Sequence, residues 1–236
     1  NGTDSFELKK NSPLYWHNFI EVSSFVDAAA ERRLAEVEIL VKYFKNNSKE
    51  EKFNQTTLSP HAPYSVSKKL FELLNEKTAH QLISIHNQET AAENELYQNK
   101  SGAFLELYKN LAINIHHFLP TGKSSMQSWL PYFTNSQKII AVHNTFITQD
   151  DMAQCNLPIN YCICINANLY IENTLPPIDL LMNNVGNIVL GTDSYASNWN
   201  LNMMEEIKSI QKHFPHISLQ TILQWATING AKALGI

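Results

Sequence analysis

The sequence predicts an α/β protein built on parallel strands, and three observations carry that reading. Short apolar or β-branched runs alternate with longer amphipathic ones along the 236 residues; parallel neighbours need a crossover, which a helix supplies. Most of the short runs are apolar throughout, as strands covered on both faces are. Four of them end in His or Asp, so their polar groups gather at one end.

Taken in order, the strand candidates are residues 15–22, 55–59, 81–86, 138–143, 161–165 and 187–191. Between them, helical periodicity covers residues 28–44, 65–77, 91–110, 148–155 and 175–183; two further helices, 201–213 and 219–234, follow the last strand. The stripe Leu34, Val37, Leu40, Val41 and Phe44 is core by spacing. Gly235 stands at a plausible C-cap of the last helix. The chain opens on Asn1-Gly2-Thr3-Asp4, turn chemistry that usually lies between elements. It stops just after a helix, and both ends are therefore expected to be cut from a longer polypeptide.

Composition removes several function classes. Eighteen Lys+Arg against 22 Asp+Glu give a formal charge of -4 with no block of like charge, so nucleic-acid and membrane-surface binding have no electrostatic footprint. No segment reaches the roughly 18 uninterrupted apolar residues of a membrane span, and 7 Gly with 9 Pro exclude collagen-like or disordered classes. Cys155, Cys162 and Cys164 are odd in number and confined to one region, which reads as reduced thiols and a cytoplasmic address. Cys162 and Cys164 are read as packing residues on opposite sides of a strand. Neither Gly-x-Gly-x-x-Gly nor Gly-x-x-x-x-Gly-Lys-Ser/Thr occurs, so a nucleotide-binding doubly wound sheet loses its main support.

The strand ends read Leu58-Ser59-Pro60-His61, Ile83-Ser84-Ile85-His86, Ile140-Ala141-Val142-His143 and Val189-Leu190-Gly191-Thr192-Asp193. A single histidine at a strand end is usually a hydrogen-bonded structural residue. Four groups in phase argue for a closed β/α barrel, where such tips converge on one face and build the active site together. Three imidazoles and a carboxylate there suit a divalent metal of zinc type.

The segments His61-Ala-Pro-Tyr-Ser-Val-Ser67, His86-Asn-Gln-Glu89-Thr90, His143-Asn-Thr-Phe and Gly191-Thr-Asp193-Ser, in that order, resemble the metal-dependent amidohydrolase superfamily. The similar branch is the one holding chlorohydrolases and the cytosine, guanine and S-adenosylhomocysteine-type deaminases. Further matches are Asn168, Ser197-Asn198, the helix start Met203 to Glu206, and the run from Ala226 to Gly235. The resemblance extends from about Tyr15 to Ile236. It implies a partial TIM-like (β/α)8 barrel, about strands 3 to 8, filling residues 1–236. The first two strands, the family's His-x-His metal pair and its flanking β domain are expected outside this chain; the adjacent His116-His117 has the wrong spacing to replace that pair.

Carried over residue by residue, the resemblance implies that His86 and Asp193 bind one divalent metal, zinc with iron as the alternative, together with the missing pair. Asp193 also takes a proton from the attacking water. Glu89, three residues beyond His86, shuttles a proton to the ring or leaving group; its other reading is an acidic first-turn residue favoured by the helix dipole. His143 hydrogen-bonds the attacking hydroxide or the oxyanion, and His61 orients substrate, with Tyr64 as a pocket wall. The fourth barrel strand ends in His61, with no Lys to bridge two metals, so a mononuclear site is expected. The family's Cys-Pro-x-Ser-Asn appears as Cys164-Ile-Asn-Ala-Asn168, which leaves Asn168 as a substrate-binding residue in an altered loop.

The only arginines, Arg32 and Arg33, fall in a helical stretch, which favours a neutral N-heterocycle over a phosphate. Trp199, in the loop after Asp193, is expected to bind the substrate ring by stacking, with Trp16 a second candidate; Trp129 and Trp225 read as packing. The expected function is hydrolytic deamination of an amino-substituted purine, pyrimidine or related ring. The alternatives are a cyclic-amide or halide hydrolase of the same superfamily and, from another class, a metal-free barrel homologue acting as a binding module. The partner is a small molecule, with neither nucleic acid nor membrane, and a homo-oligomer is compatible with the sequence. Metal binding by residues 1–236 alone is expected to be weak or absent.

Overall fold

Six parallel strands carry the molecule: β1 (Trp16–Val22), β2 (Asn54–Pro60), β3 (Leu82–Asn87), β4 (Lys138–His143), β5 (Ile159–Ile163) and β6 (Asn187–Leu190). The computed structural model describes residues 3–48, 54–184 and 187–236. All six sequence-predicted strands are present. β1 pairs with β2, and β3 to β6 form a four-stranded sheet in sequence order, every pairing parallel. Side chains complete the step from β2 to β3: Thr57 Oγ1 donates to the Leu82 carbonyl at 2.8 Å, and Ser84 N–H donates to Ser59 Oγ at 3.0 Å. Hydroxyls stand in for ladder bonds along these two strands, and one backbone bond, from His86 N–H to the His61 carbonyl at 3.0 Å, joins their ends.

A short α1 (Phe6–Lys10), absent from the sequence reading, precedes β1. The crossovers are α2 (Ala30–Asn47), α3 (Lys68–Lys77), then α4 (Ala91–Asn99), α5 (Ala103–Asn110) and α6 (Ser125–Trp129), and then α7 (Gln149–Gln154). α8 (Ile165–Glu172) and α9 (Ile178–Asn184) link β5 to β6, and α10 (Met203–His213), α11 (Leu219–Ala226) and α12 (Ile228–Leu234) follow the last strand. Side-chain caps mark several starts: Ser67 accepts from Leu70 N–H, Thr90 from Ala92 N–H and Ser218 from Thr221 N–H. Among the described residues no helix is long and apolar enough to cross a membrane.

The structure corrects several sequence boundaries. The single helix expected over 91–110 breaks because Lys100 is left-handed at φ 52° and Gly102 takes φ 86°. The helix over 219–234 breaks at Thr227, whose φ -127°, ψ -88° leaves the helical region. The strand expected to reach residue 165 ends at Ile163, and Ile165 instead opens α8. Cys162 and Cys164 do not face opposite sides. Two positions apart in a period-2 strand they share a face, and a Cβ built on Gly191 would meet both sulfurs, at 2.9 and 3.1 Å.

Two apolar layers flank the strands. Ile20, Val22, Leu58, Ile83, Ile85, Ile139, Ala141 and Ile163 pack outward with Leu34, Leu70, Leu74, Trp129 and Ile210 of the helices. Phe19, Leu82, Ile140, Val142, Cys162 and Val189 form a second cluster on the opposite side of the strands. Alternation on β1 and β3 therefore assigns Glu21 to the side of Phe19 and His86 to that of Leu82.

Candidate functional site

The C-terminal strand ends converge as the sequence predicts. His61 follows β2, His86 lies at the end of β3, His143 ends β4 and Asp193 follows β6. His61 and His86 have ring centroids 4.9 Å apart, and His86 and His143 5.2 Å, both edge to face. One ligand atom from each of His86, His143 and Asp193 falls within 4.8 Å of the others. His61 is held by Ser65 Oγ, 2.8 Å from Nδ1, and Tyr64 stands edge-on to its ring at 6.0 Å.

Backbone strain aims these side chains. His143 is out of phase with the inward-facing Ile140 and Val142, and it enters the cluster through a left-handed conformation at φ 75°. Asp193 is left-handed at φ 57°, and its Oδ2 accepts from the Ser197 hydroxyl. Such conformations cost about 1–3 kcal/mol each and persist only where the surroundings hold them. Here the local conformation departs from strand geometry where the chemistry-bearing residues stand.

The imidazole of His143 is 0% exposed, and Asn168 Oδ1 lies 3.0 Å from its Nδ1. Asn168 Nδ2 donates to Thr145 Oγ1 at 2.7 Å, so the amide oxygen is the end that faces the ring. The oxygen accepts the Nδ1 proton, which leaves Nε2 as the lone-pair nitrogen. That Nε2 is buried and makes no hydrogen bond, with Glu89 Oε1 at 3.4 Å. Burial pushes the Glu89 carboxyl above its usual range, opposed by His143 and reinforced by Asp193. Burial pushes His86 down to about 3, and the neighbouring His143 and His61 add to the shift. A neutral His86 keeps the lone pair of one ring nitrogen for a cation.

An orphaned imidazole nitrogen, a neutral second imidazole and a carboxylate within one ion's reach fit a zinc-type donor set. Glu21, which the sequence reading missed, also enters the site: its Oε1 is 3.9 Å from His86 Nε2, and burial raises its carboxyl. Its signal was the alternation of Glu21 with buried Ile20 and Val22 at the end of β1.

The remaining expected site residues fall less centrally. Asn168, expected to bind substrate, is 1% exposed and has both ends of its amide engaged by protein. Trp199 is on the loop after Asp193 as expected, 61% exposed, with Tyr170 edge-on at 5.3 Å. Trp16 does not reach the site, because it opens β1 at the end opposite Glu21. Trp129 is buried and donates Nε1–H to Asn87 Oδ1 at 2.8 Å. Arg32 and Arg33 both pair with Glu36 on α2, at 2.8 and 2.7 Å.

Comparison with known proteins agrees with this arrangement. The chain is 29% identical over 229 residues to a 5'-deoxyadenosine deaminase of Methanocaldococcus jannaschii, covering 91% of this chain and 49% of that protein. It is 29% identical to a 5-methylthioadenosine/S-adenosylhomocysteine deaminase of Pyrococcus abyssi, covering 76% of this chain and 40% of the relative. The chain thus spans about half the length, or less, of these curated relatives. Its fold matches the crystal structure of Helicobacter pylori aminofutalosine deaminase with a TM-score of 0.86 at 24% identity, over 100% of this chain and 59% of that one. The family model for the Amidohydrolase family matches residues 6–236, and the chain belongs to the Amidohydrolase family.

Proposed function

We propose that this chain carries the greater part of the active site of a hydrolytic deaminase acting on an amino-substituted N-heterocycle, an adenosine-type purine first among them. The observation that carries the reading is the meeting of His86, His143 and Asp193 within 4.8 Å, with Glu89 3.4 Å from His143. The deaminase relatives support it, as does the engagement of both arginines by Glu36 of their own helix. On this reading residues 1–236 are one domain, and the six strands are strands 3 to 8 of an eight-stranded barrel. On the same reading the enzyme is cytoplasmic.

His86 and Asp193, with His143 beside them, would hold one divalent cation, zinc in our reading. Bound there, the cation supplies Lewis-acid activation of water near neutral pH. Asp193 takes a proton from the attacking water. His143 Nε2, a lone-pair acceptor, orients that water while Asn168 holds the ring. His61 and Trp199 contact the heterocycle. Glu89, its carboxyl raised so that it exchanges protons nearer neutrality, delivers its proton to the ring nitrogen and regains one from the hydroxyl of the tetrahedral intermediate as the carbonyl forms, while Asp193 passes the water's proton to the departing amine. Water's oxygen bonds to the amidine carbon, the C–N bond breaks, and ammonia leaves with a carbonyl in its place.

The test is ammonia release by the complete, zinc-loaded protein from 5'-deoxyadenosine, 5-methylthioadenosine, adenine, guanine and cytosine, with chloride release from a chlorotriazine in parallel. Deamination of at least one aminated ring is expected. Chloride release or cyclic-amide hydrolysis without ammonia would contradict the proposal.

A further inference from the structure

Glu89 is placed by the residue before it. Gln88 is left-handed at φ 48°, a conformation a non-glycine residue keeps only when held. Every polar group of Gln88 is engaged. Its N–H donates to Glu93 Oε1 at 2.7 Å, and its carbonyl accepts from Phe146 N–H at 3.1 Å. Its side-chain Nε2 donates to Asn94 Oδ1 and Asp151 Oδ2, both at 3.1 Å, and its Oε1 accepts from Asn87 Nδ2 at 3.4 Å.

Glu93 stands out in this set. It lies in the first turn of α4 and is 0% exposed, although burying a carboxyl costs free energy unless its hydrogen bonds compensate. Its short bond is to the backbone of the turn that carries Glu89, four residues earlier in the chain. The neighbouring Asn94 completes the clamp: its Oδ1 also accepts from Ser125 N–H at 2.9 Å, tying the turn to α6.

Resting on the role proposed above for Glu89, we propose that Glu93 is its positioning residue: by accepting the Gln88 N–H it holds the left-handed turn that ends β3 and fixes where the Glu89 carboxyl meets His143. Glu93 touches neither substrate nor the reacting atoms. Its contribution passes through the backbone of Gln88 and Glu89, and misplacing a catalytic group by about 1 Å costs on the order of 10²-fold in rate.

The experiment is a double-mutant cycle in the complete, metal-loaded protein. Glu93→Leu should lower kcat for ammonia release by about 10- to 100-fold, with KM within about threefold and metal content unchanged. Glu93→Gln, whose amide oxygen still accepts the Gln88 N–H, should restore kcat to within about threefold of wild type. In a Glu89→Gln background, Glu93→Leu should cost less than about threefold, because the group it positions is already disabled. Backbone hydrogen exchange supplies a readout independent of turnover: the Gln88 amide should exchange faster in Glu93→Leu and at the wild-type rate in Glu93→Gln. Should Glu93→Leu not fold, Glu93→Met, similar in length and without a strong acceptor, takes its place in each measurement. Equal losses in both backgrounds, or unchanged Gln88 exchange, would overturn this proposal alone. A Glu89→Gln protein as active as wild type would overturn the role of Glu89 and this proposal with it.

Discussion

Replacing Asn168 with Leu removes both ends of an amide that is 1% exposed and bonded at 3.0 Å to His143 Nδ1 and at 2.7 Å to Thr145 Oγ1. Leucine keeps the branching of the side chain and is larger than asparagine, so no cavity opens and any overpacking adds to the chemical loss. Thr145 can turn its hydroxyl to another partner. The Nδ1 proton of the fully buried His143 ring cannot, and leaving such a donor unsatisfied costs about 1–3 kcal/mol. For a domain of this size each kcal/mol lowers Tm by about 2–4 °C, so a fall of about 2–12 °C is expected in thermal denaturation. Turnover should fall as well, because the tautomer that leaves Nε2 as the acceptor is no longer fixed. Asn168→Asp, which keeps an acceptor beside Nδ1, should retain more stability than Asn168→Leu. A Tm within about 1 °C of wild type for Asn168→Leu would refute the claim that this amide holds the ring.

Asp193→Asn should reduce metal content and ammonia release together, measured on the same dialysed sample, because the carboxylate is one of the three grouped donors. Gly102→Ala should cost about 1–3 kcal/mol in urea denaturation, since φ 86°, ψ -173° is a region only glycine occupies readily; the clash of the added Cβ with the Glu95 carboxylate adds little, because that side chain can move. Burial pushes Glu93 from 4.5 up to about 8, against the lowering pull of the Gln88 N–H. Below pH 4.5 the group is protonated in both states and contributes no penalty; between 4.5 and about 8 only the unfolded chain releases the proton, so stability falls as pH rises. Glu93→Gln abolishes that titration, and its stability relative to wild type should rise from pH 5 to pH 8, by an amount on the order of a few kcal/mol. A difference independent of pH would contradict the burial of a titrating carboxyl.

Strand positions and strand-end residues were legible because they obey local rules. Apolar runs such as Ile83-Ser-Ile85 and Ile139-Ile-Ala141 report burial directly, and His61, His86, His143 and Asp193 each stand at or just past the end of a strand. Helix breaks were harder to read. Lys100 and Thr227 carry no sequence mark of the conformations they adopt, and α8 begins where an apolar run continues, so periodicity alone could not divide β5 from it. Glu21 was overlooked because a lone acid on a half-buried strand resembles a solvent-facing alternation; only its meeting with His86 across two strands gives it meaning. Asn168 was found by motif, but its hydrogen bond to His143 depends on how β4 and α8 pack, a tertiary relation that spacing does not encode. The pairing of Cys162 and Cys164 on one face follows from strand period and is visible at Gly191.

The central claim is that Glu89 moves a proton beside a cation held by its neighbours and is not itself a ligand. Glu89→Gln, made in the complete protein and assayed for both ammonia release and bound metal, tests it most directly. The account predicts unchanged metal stoichiometry with kcat lowered by about 10²- to 10⁴-fold. Activity within about twofold of wild type, or loss of the metal along with the activity, would contradict it.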